Sequence, residues 1–223
     1  MLEVILDTET TGLSTTQKHK IVEIGCVELN NQIATGKVFH TYINPQRPVS
    51  EDAYKVHGYS DEFLSDKKKF SEIAEDFLNF INNKKIIIHN APFDLSFLNY
   101  ELNLINKDKI KIENIVDTLE LARQKHPGSQ NSLDALCKRY NIDNSKREKH
   151  SALVDCHLLK EVYINLLDQK EPKLNFKNIE SSEINFERTQ SKKIKRKIIT
   201  VQQEELKRHK EYIKKDLSKN FFN

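Results

Sequence analysis

Asp7 and Glu9 stand two residues apart in "VILDTETTGL" (residues 4–13), directly behind an apolar run. Side chains alternate along a strand, so the two carboxylates point to one side and Thr8 to the other, which is the geometry of a chelate. A lone Asp-x-Glu is equally a turn cap followed by a solvated acid, so other acidic residues in costly places have to decide. Asp155 falls within a helical pattern over 151–167, with Ala152, Leu159, Val162 and Leu166 at −3, +4, +7 and +11 from it on the buried stripe. A carboxylate there is expensive unless it is paired or bound to a cation. Asp94 opens a further helix just after the apolar run 86–88, beside Phe97 and Leu98; it could also serve only the helix dipole. His150 lies five residues before Asp155, in an entry loop free to lean toward the same site, and an imidazole titrates near neutral pH. Asp117 is set aside, because Asp117-x-x-Glu120 reads as a capping box. Grouped oxygen donors without cysteine favour Mg²⁺ or Mn²⁺ over zinc. Several carboxylates can hold two such ions about 3.5 to 4 Å apart, an arrangement for in-line displacement at phosphorus with a histidine free to act as base. The chemistry expected is phosphodiester hydrolysis.

Elements must carry these residues to one place. Residues 2–6, 20–30 and 37–43 read as three strands of a meander, separated by Thr, Asn and Gly. A helix from about Ser71 puts Ile73, Phe77 and Ile81 on one face, and "KKIIIHN" (84–90) is a short central strand. Pro92 suits the first turn of a helix over 93–105. Ile115-Val116 forms a last strand before helices near 118–125, 132–140 and 151–167. This order predicts an α/β fold, a mixed sheet with helices packed on it. The compact domain is expected over 1–168, a polar linker over 169–187, and a docking segment over 188–223. That last segment holds a helix opening with Thr200-x-x-Gln203, whose apolar stripe of Leu206, Ile213 and Leu217 is too thin to fold alone.

Composition removes several classes. No run of about 18 apolar residues and no signal-peptide pattern occur, so no membrane association and a cytoplasmic location are expected. Cys26, Cys137 and Cys156 are scattered, without a Cys-x-x-Cys pair. Neither the dinucleotide fingerprint, the P-loop nor Gly-x-Ser-x-Gly is present. Residues 181–223 carry 12 Lys/Arg against 6 Asp/Glu, and residues 1–180 carry 24 against 27. A basic tail on a mildly acidic body suits a nucleic-acid or acidic partner, or is simply a solvated extension.

"DTETTG" (7–12), "HNAPFD" (89–94) and "HSALVD" (150–155) resemble the three motifs of the DEDDh 3'-to-5' exonuclease superfamily, in particular the proofreading subunits of bacterial DNA polymerase III. The similarity runs on through "YKVHG" (54–58), "ARQKHPG" (122–128) and "NSLDALCKRYNIDNSKR" (131–147), covering about residues 2–167. The resemblance implies a ribonuclease H-like, five-stranded mixed sheet flanked by helices, with a flexible C-terminal tail. It implies two divalent cations, Mg²⁺ or Mn²⁺, with Asp7 bridging both, Glu9 and Asp155 completing the first site and Asp94 assisting the second. His150 matches the general base. The terminal nucleotide is implied to lie against Thr10, Thr11, Leu13, Asp52, Val56, His57 and Phe93, along with Asp7, Glu9 and Asp155; Gly12 would allow close backbone approach. Asp52 could instead be only a first-turn helix acid, and Phe93 only a core residue. Ser151 stands where relatives often have Gly, and Cys156 where they often have Ala. The implied activity is 3'-to-5' DNA proofreading that releases 5'-mononucleotides from a single-stranded or frayed 3' end. An RNA 3' exonuclease and a non-catalytic polymerase-stabilising adaptor are the alternatives. Implied partners are the catalytic alpha subunit through the tail, a small theta-like subunit, and the sliding clamp through "EPKLNF" (171–176), where Glu171 replaces the leading Gln of the clamp peptide.

Overall fold

A computed structural model of the chain describes residues 1–145, 147, 149–167 and 202–215. Five strands form one sheet in the order β3-β2-β1-β4-β5: β1 (Leu2–Thr10), β2 (Ile21–Asn30), β3 (Ile33–Tyr42), β4 (Lys85–Ile88) and β5 (Ile115–Asp117). The first three make the expected antiparallel meander, while β4 joins β1, and β5 joins β4, in parallel. β1 is longer than its apolar run predicts, because β2 keeps pairing with it as far as Thr10. Asp7 and Glu9 are therefore held inside a strand rather than past its end. β3 starts at Ile33, not Lys37: Asn31 and Gln32 both take positive φ (50° and 67°) and close a two-residue hairpin, whose twist suits the flanking strands.

Helices cover both faces. Val4 and Leu6 of β1 pack with α3 (Phe70–Ile81) and α4 (Ala91–Leu104). Ile5 and Ile87 pack with α7 (Ala152–Leu166). Leu136 and Cys137 of α6 (Leu133–Tyr140) and Ala122 of α5 (Thr118–Lys125) close over the outer side of α7. In α3 the predicted Ile73, Phe77 and Ile81 are buried, each contributing about 1.5 to 3 kcal/mol of transfer free energy. Asp117 caps as expected, accepting from the Leu119 N–H at 2.9 Å, and it also accepts from Asn90 and Ala91 at the start of α4. Two short helices, α1 (Glu51–His57) and α2 (Asp61–Ser65), have no counterpart in the sequence periodicity. They are too short to show a period, although Ser50 and Ser60 cap them in the ordinary way.

Gly25 of β2, opposite Asp7, sets how near α7 can come. A Cβ at Gly25 would lie 2.6 Å from the backbone of Ala152 and Leu153, so the first turn of α7 rests directly on the strand. Gly25→Ala should lower the urea unfolding free energy by about 1 to 3 kcal/mol through overpacking. Unchanged stability would mean that the helix start is not held at this distance.

The chain divides into two units, residues 1–176 and 177–223. In the second, α8 (Gln203–Lys215) is the helix expected there, with Leu206 exposed. Thr200, Leu217, the linker and the 171–176 peptide lie outside the described residues. Among the described residues no helix is long and apolar enough to cross a membrane.

Candidate active site

Glu9, His150 and Asp155 present ligand atoms that all lie within 4.8 Å of one another. Glu9 comes from β1, Asp155 from the first turn of α7, and His150 from the loop before it. Strand alternation puts Asp7 and Glu9 on the face of Ile5, which packs against Cys156 and Leu159 of α7. Thr8 shares the opposite face with Val4 and Leu6, and its hydroxyl donates to Asp94 Oδ1 at 2.7 Å. Asp94 thus reaches the end of β1 from the other helical layer. Asp7 and Asp94 stand outside the close trio; the charges of Glu9 and Asp155 act on Asp7, and that of Asp94 acts on Glu9.

The site holds a surplus of negative charge. Burial pushes the Asp7 carboxyl well above its usual range, and Asp94, Glu9, Asp155 and Glu23 push it further. Burial, then Asp155 and Glu23, raises Glu9 to about 8. Burial raises Asp94 to about 7 against the Thr8 hydrogen bond, and raises Asp155 against the pull of Arg147. Hard oxygen donors that lack sufficient counter-charge fit Mg²⁺ or Mn²⁺. A carboxyl raised in the fold keeps its proton after the unfolded chain has lost it, so stability falls as pH rises between the two pKa values. For Glu9 that window runs from 4.5 to about 8, and Asp7 and Asp94 act in the same direction. The melting temperature in chelator should therefore fall across this window, and Mg²⁺ should flatten the slope. A level profile in chelator would show that these acids are not strained.

Glu23 of β2 is fully buried and organises the start of α7. One oxygen meets His40 Nε2 at 2.7 Å and accepts from Ser151 Oγ at 3.0 Å; the other accepts from Tyr59 Oη at 2.8 Å and Ala152 N at 2.9 Å. Burial pushes Glu23 up, but these hydrogen bonds outweigh it and leave the carboxyl below its usual value. Ser151, the departure noted in the motif, thus spends its hydroxyl on holding the helix that carries Asp155.

A cavity of about 500 Å³ opens beside Glu9, and Thr10, Leu13, Asp52, Val56, His57 and Phe93 line it. Thr11 does not; it is fully buried, and its hydroxyl is shared between His19 Nδ1 and the Lys20 N–H, both at 3.0 Å. His57 is buried, and Tyr59 N–H donates to its Nδ1 at 3.0 Å, so Nε2 carries the proton and donates to the Thr10 carbonyl at 3.2 Å. His57 therefore offers the cavity a ring rather than a free nitrogen. Asp52 points to solvent, with its side chain 97% exposed. Gly12 admits the His19 imidazole, since a Cβ there would meet the ring at 2.4 Å. Arg147, His19 and Glu23 are site residues that no sequence pattern marks. Arg147 sits in the lysine-rich run "KREKH" and has no periodic signal, yet its guanidinium contacts both Asp155 and His150.

A family model described as Exonuclease, RNase_T, matches residues 4–163. The chain belongs to this exonuclease family. The exonuclease is 50% identical over 221 residues to the DNA polymerase III subunit epsilon of Rickettsia typhi, covering 96% of each chain. It is 49% identical over 217 residues to that of Rickettsia felis, covering 95% of each, and 49% identical over 187 residues to that of Pasteurella multocida, covering 77% of this chain and 73% of the relative. It is thus a member of the epsilon-subunit family. Among solved structures, Exonuclease X in complex with 5' overhanging duplex DNA is 26% identical with a TM-score of 0.59, covering 75% of the exonuclease and 92% of that chain. The nuclease domain of 3'hExo, a DEDDh family member bound to rAMP, has a TM-score of 0.66 at 18% identity, covering 78% and 96%, and shares the fold. The ribonuclease H-like architecture expected from the motifs is the one present.

Proposed function

We propose that this metal-dependent 3'-to-5' exonuclease is the proofreading subunit of a replicative DNA polymerase and hydrolyses the last phosphodiester of a frayed DNA 3' end. The observation that carries the reading is the convergence of Glu9, His150 and Asp155 within 4.8 Å, with the buried Asp7 carboxyl within reach of the charges of Glu9, Asp155 and Asp94. Asp7, Glu9 and Asp155 would hold one Mg²⁺ or Mn²⁺, and Asp7 with Asp94 a second. Such ions, when bound, supply Lewis-acid stabilisation of charge at phosphorus and lower the pKa of water. Burial and the adjacent Arg147 hold His150 below its usual value, so it is neutral near pH 7 and suited to take the proton of the attacking water. Leu13, Val56 and Phe93 give the cavity apolar walls, and its size suits a single nucleotide. A paired terminus has to separate before it can enter, which favours a mismatched end because that end unpairs at lower cost.

The basic tail with α8 is the proposed dock for the alpha subunit. The 171–176 peptide is a proposed clamp contact, weakened by Glu171, and the body is the proposed seat of a theta-like subunit. Truncation after residue 170 should leave hydrolysis of a mismatched primer within about twofold and abolish co-elution with the alpha subunit, whose contacts would then lie outside the packed core. Retained co-elution would assign the dock to the body. Comparison of matched oligonucleotides tests the substrate; RNA degraded as fast as DNA would support the RNA exonuclease instead.

A further inference from the structure

Arg147 makes four short contacts at the site. Its Nε and Nη2 donate to Asp155 Oδ1 and Oδ2, both at 2.6 Å; Nη2 also donates to His150 Nδ1 at 2.8 Å, and Nη1 to Asp134 Oδ1 at 2.6 Å. The Arg147 and Asp155 side chains are 7% and 5% exposed, whereas Asp134 on α6 is 57% exposed. We propose that Arg147 is an internal counter-cation, which closes over Asp155 and His150 when no metal is bound and withdraws toward Asp134 as a divalent cation enters. The inference rests on the reading of Glu9, His150 and Asp155 as a metal site.

Three consequences of the geometry carry it. A guanidinium can only donate, so His150 Nδ1 is the acceptor and the ring proton sits on Nε2. Neither imidazole nitrogen then has a free lone pair, and the base is disarmed. The two-pronged contact also engages both oxygens of Asp155, and the fixed positive charge beside them repels an incoming dication in a partly buried setting where screening is weak. Lastly, Glu9 and Asp155 bring carboxylate oxygens within 4.8 Å of each other, and acids crowded that closely need a counter-cation unless a metal ion supplies one. Asp134 supplies a solvent-facing partner that Arg147 can keep while releasing Asp155. Arg147 lies outside any helix or strand, between α6 and α7, so its side chain can move without disturbing the sheet. One displacement therefore frees a ligand and arms the base together.

Mn²⁺ binding to the full-length protein, followed by electron paramagnetic resonance, tests this with wild type, Arg147→Gln, Arg147→Lys and Asp155→Asn. Arg147→Gln should tighten Mn²⁺ about tenfold, or ~1.4 kcal/mol. Arg147→Lys, which keeps the charge but not the planar fork, should fall between Gln and wild type. The Gln variant should also melt lower than wild type in chelator and gain more on Mn²⁺ addition. In metal-free wild type, ¹⁵N shifts of His150 should report the Nε2–H form, and diamagnetic Mg²⁺ or the Gln substitution should release it. Equal or weaker Mn²⁺ binding in Arg147→Gln would overturn the proposal and make Arg147 a positioning residue that aims Asp155. If circular dichroism shows the Gln variant unfolded, the Lys variant decides by the same sign. Failure of the metal-site reading itself looks different: wild type would bind no Mn²⁺ that Asp155→Asn removes.

Discussion

Asp7→Asn should reduce nucleotide release from a mismatched primer by about a thousand-fold or more, the scale of losing several kcal/mol of charge stabilisation at phosphorus. The same variant should melt no lower than wild type in chelator. Asp7 sits in the centre of β1 opposite Gly25, where burial and four neighbouring carboxylates all oppose its charge. Asn has nearly the same shape and removes that repulsion, so the fold loses nothing that the metal-free protein was using. Opposite signs for activity and stability are expected of a residue kept for chemistry at the expense of the fold. A variant that lost both together would mark Asp7 as structural.

His150→Gln should lower kcat by about 10²- to 10⁴-fold, the usual worth of a general base, with KM little changed. His150 is half-exposed at the mouth of the site, and its backbone N–H is held by the Val56 carbonyl at 3.2 Å, so the loop keeps its path without the ring. Because the imidazole must be neutral to accept a proton, wild-type kcat should rise with pH through a value below the usual 6.5 of histidine. The variant should lose that limb. A Gln variant that kept both the limb and the rate would place the base elsewhere.

Much of this site shows in the primary structure, for identifiable reasons. Asp155 stood out because a carboxylate on the stripe of Leu159 and Val162 contradicts the helix's own pattern, and the structure buries it there. The side shared by Asp7 and Glu9 follows from the strand period alone. Asp94 was ambiguous between a dipole partner and a site residue, since its link to Thr8 crosses from one layer to another, and no local pattern reports such a contact. The length of β1 is hidden in the sequence because "TET" resembles a turn until β2 pairs with it. Thr11 and Leu13 look alike as loop residues, yet one is sealed behind His19 and the other is 84% exposed; the direction of a loop side chain is set by tertiary packing. Arg147 belongs to the same class, because a charge in an aperiodic loop acquires meaning only from the partners the fold brings to it.

Cation-dependent hydrolysis from the 3' end is read from the product series of a 5'-labelled DNA primer with a mismatched terminus. With Mg²⁺ the wild-type protein should shorten the primer one nucleotide at a time from its 3' end, release 5'-mononucleotides, and stop when chelator is added. Internal fragments at the earliest times, or hydrolysis that continues in chelator, would contradict the assignment of Asp7, Glu9, Asp94, His150 and Asp155 to that chemistry.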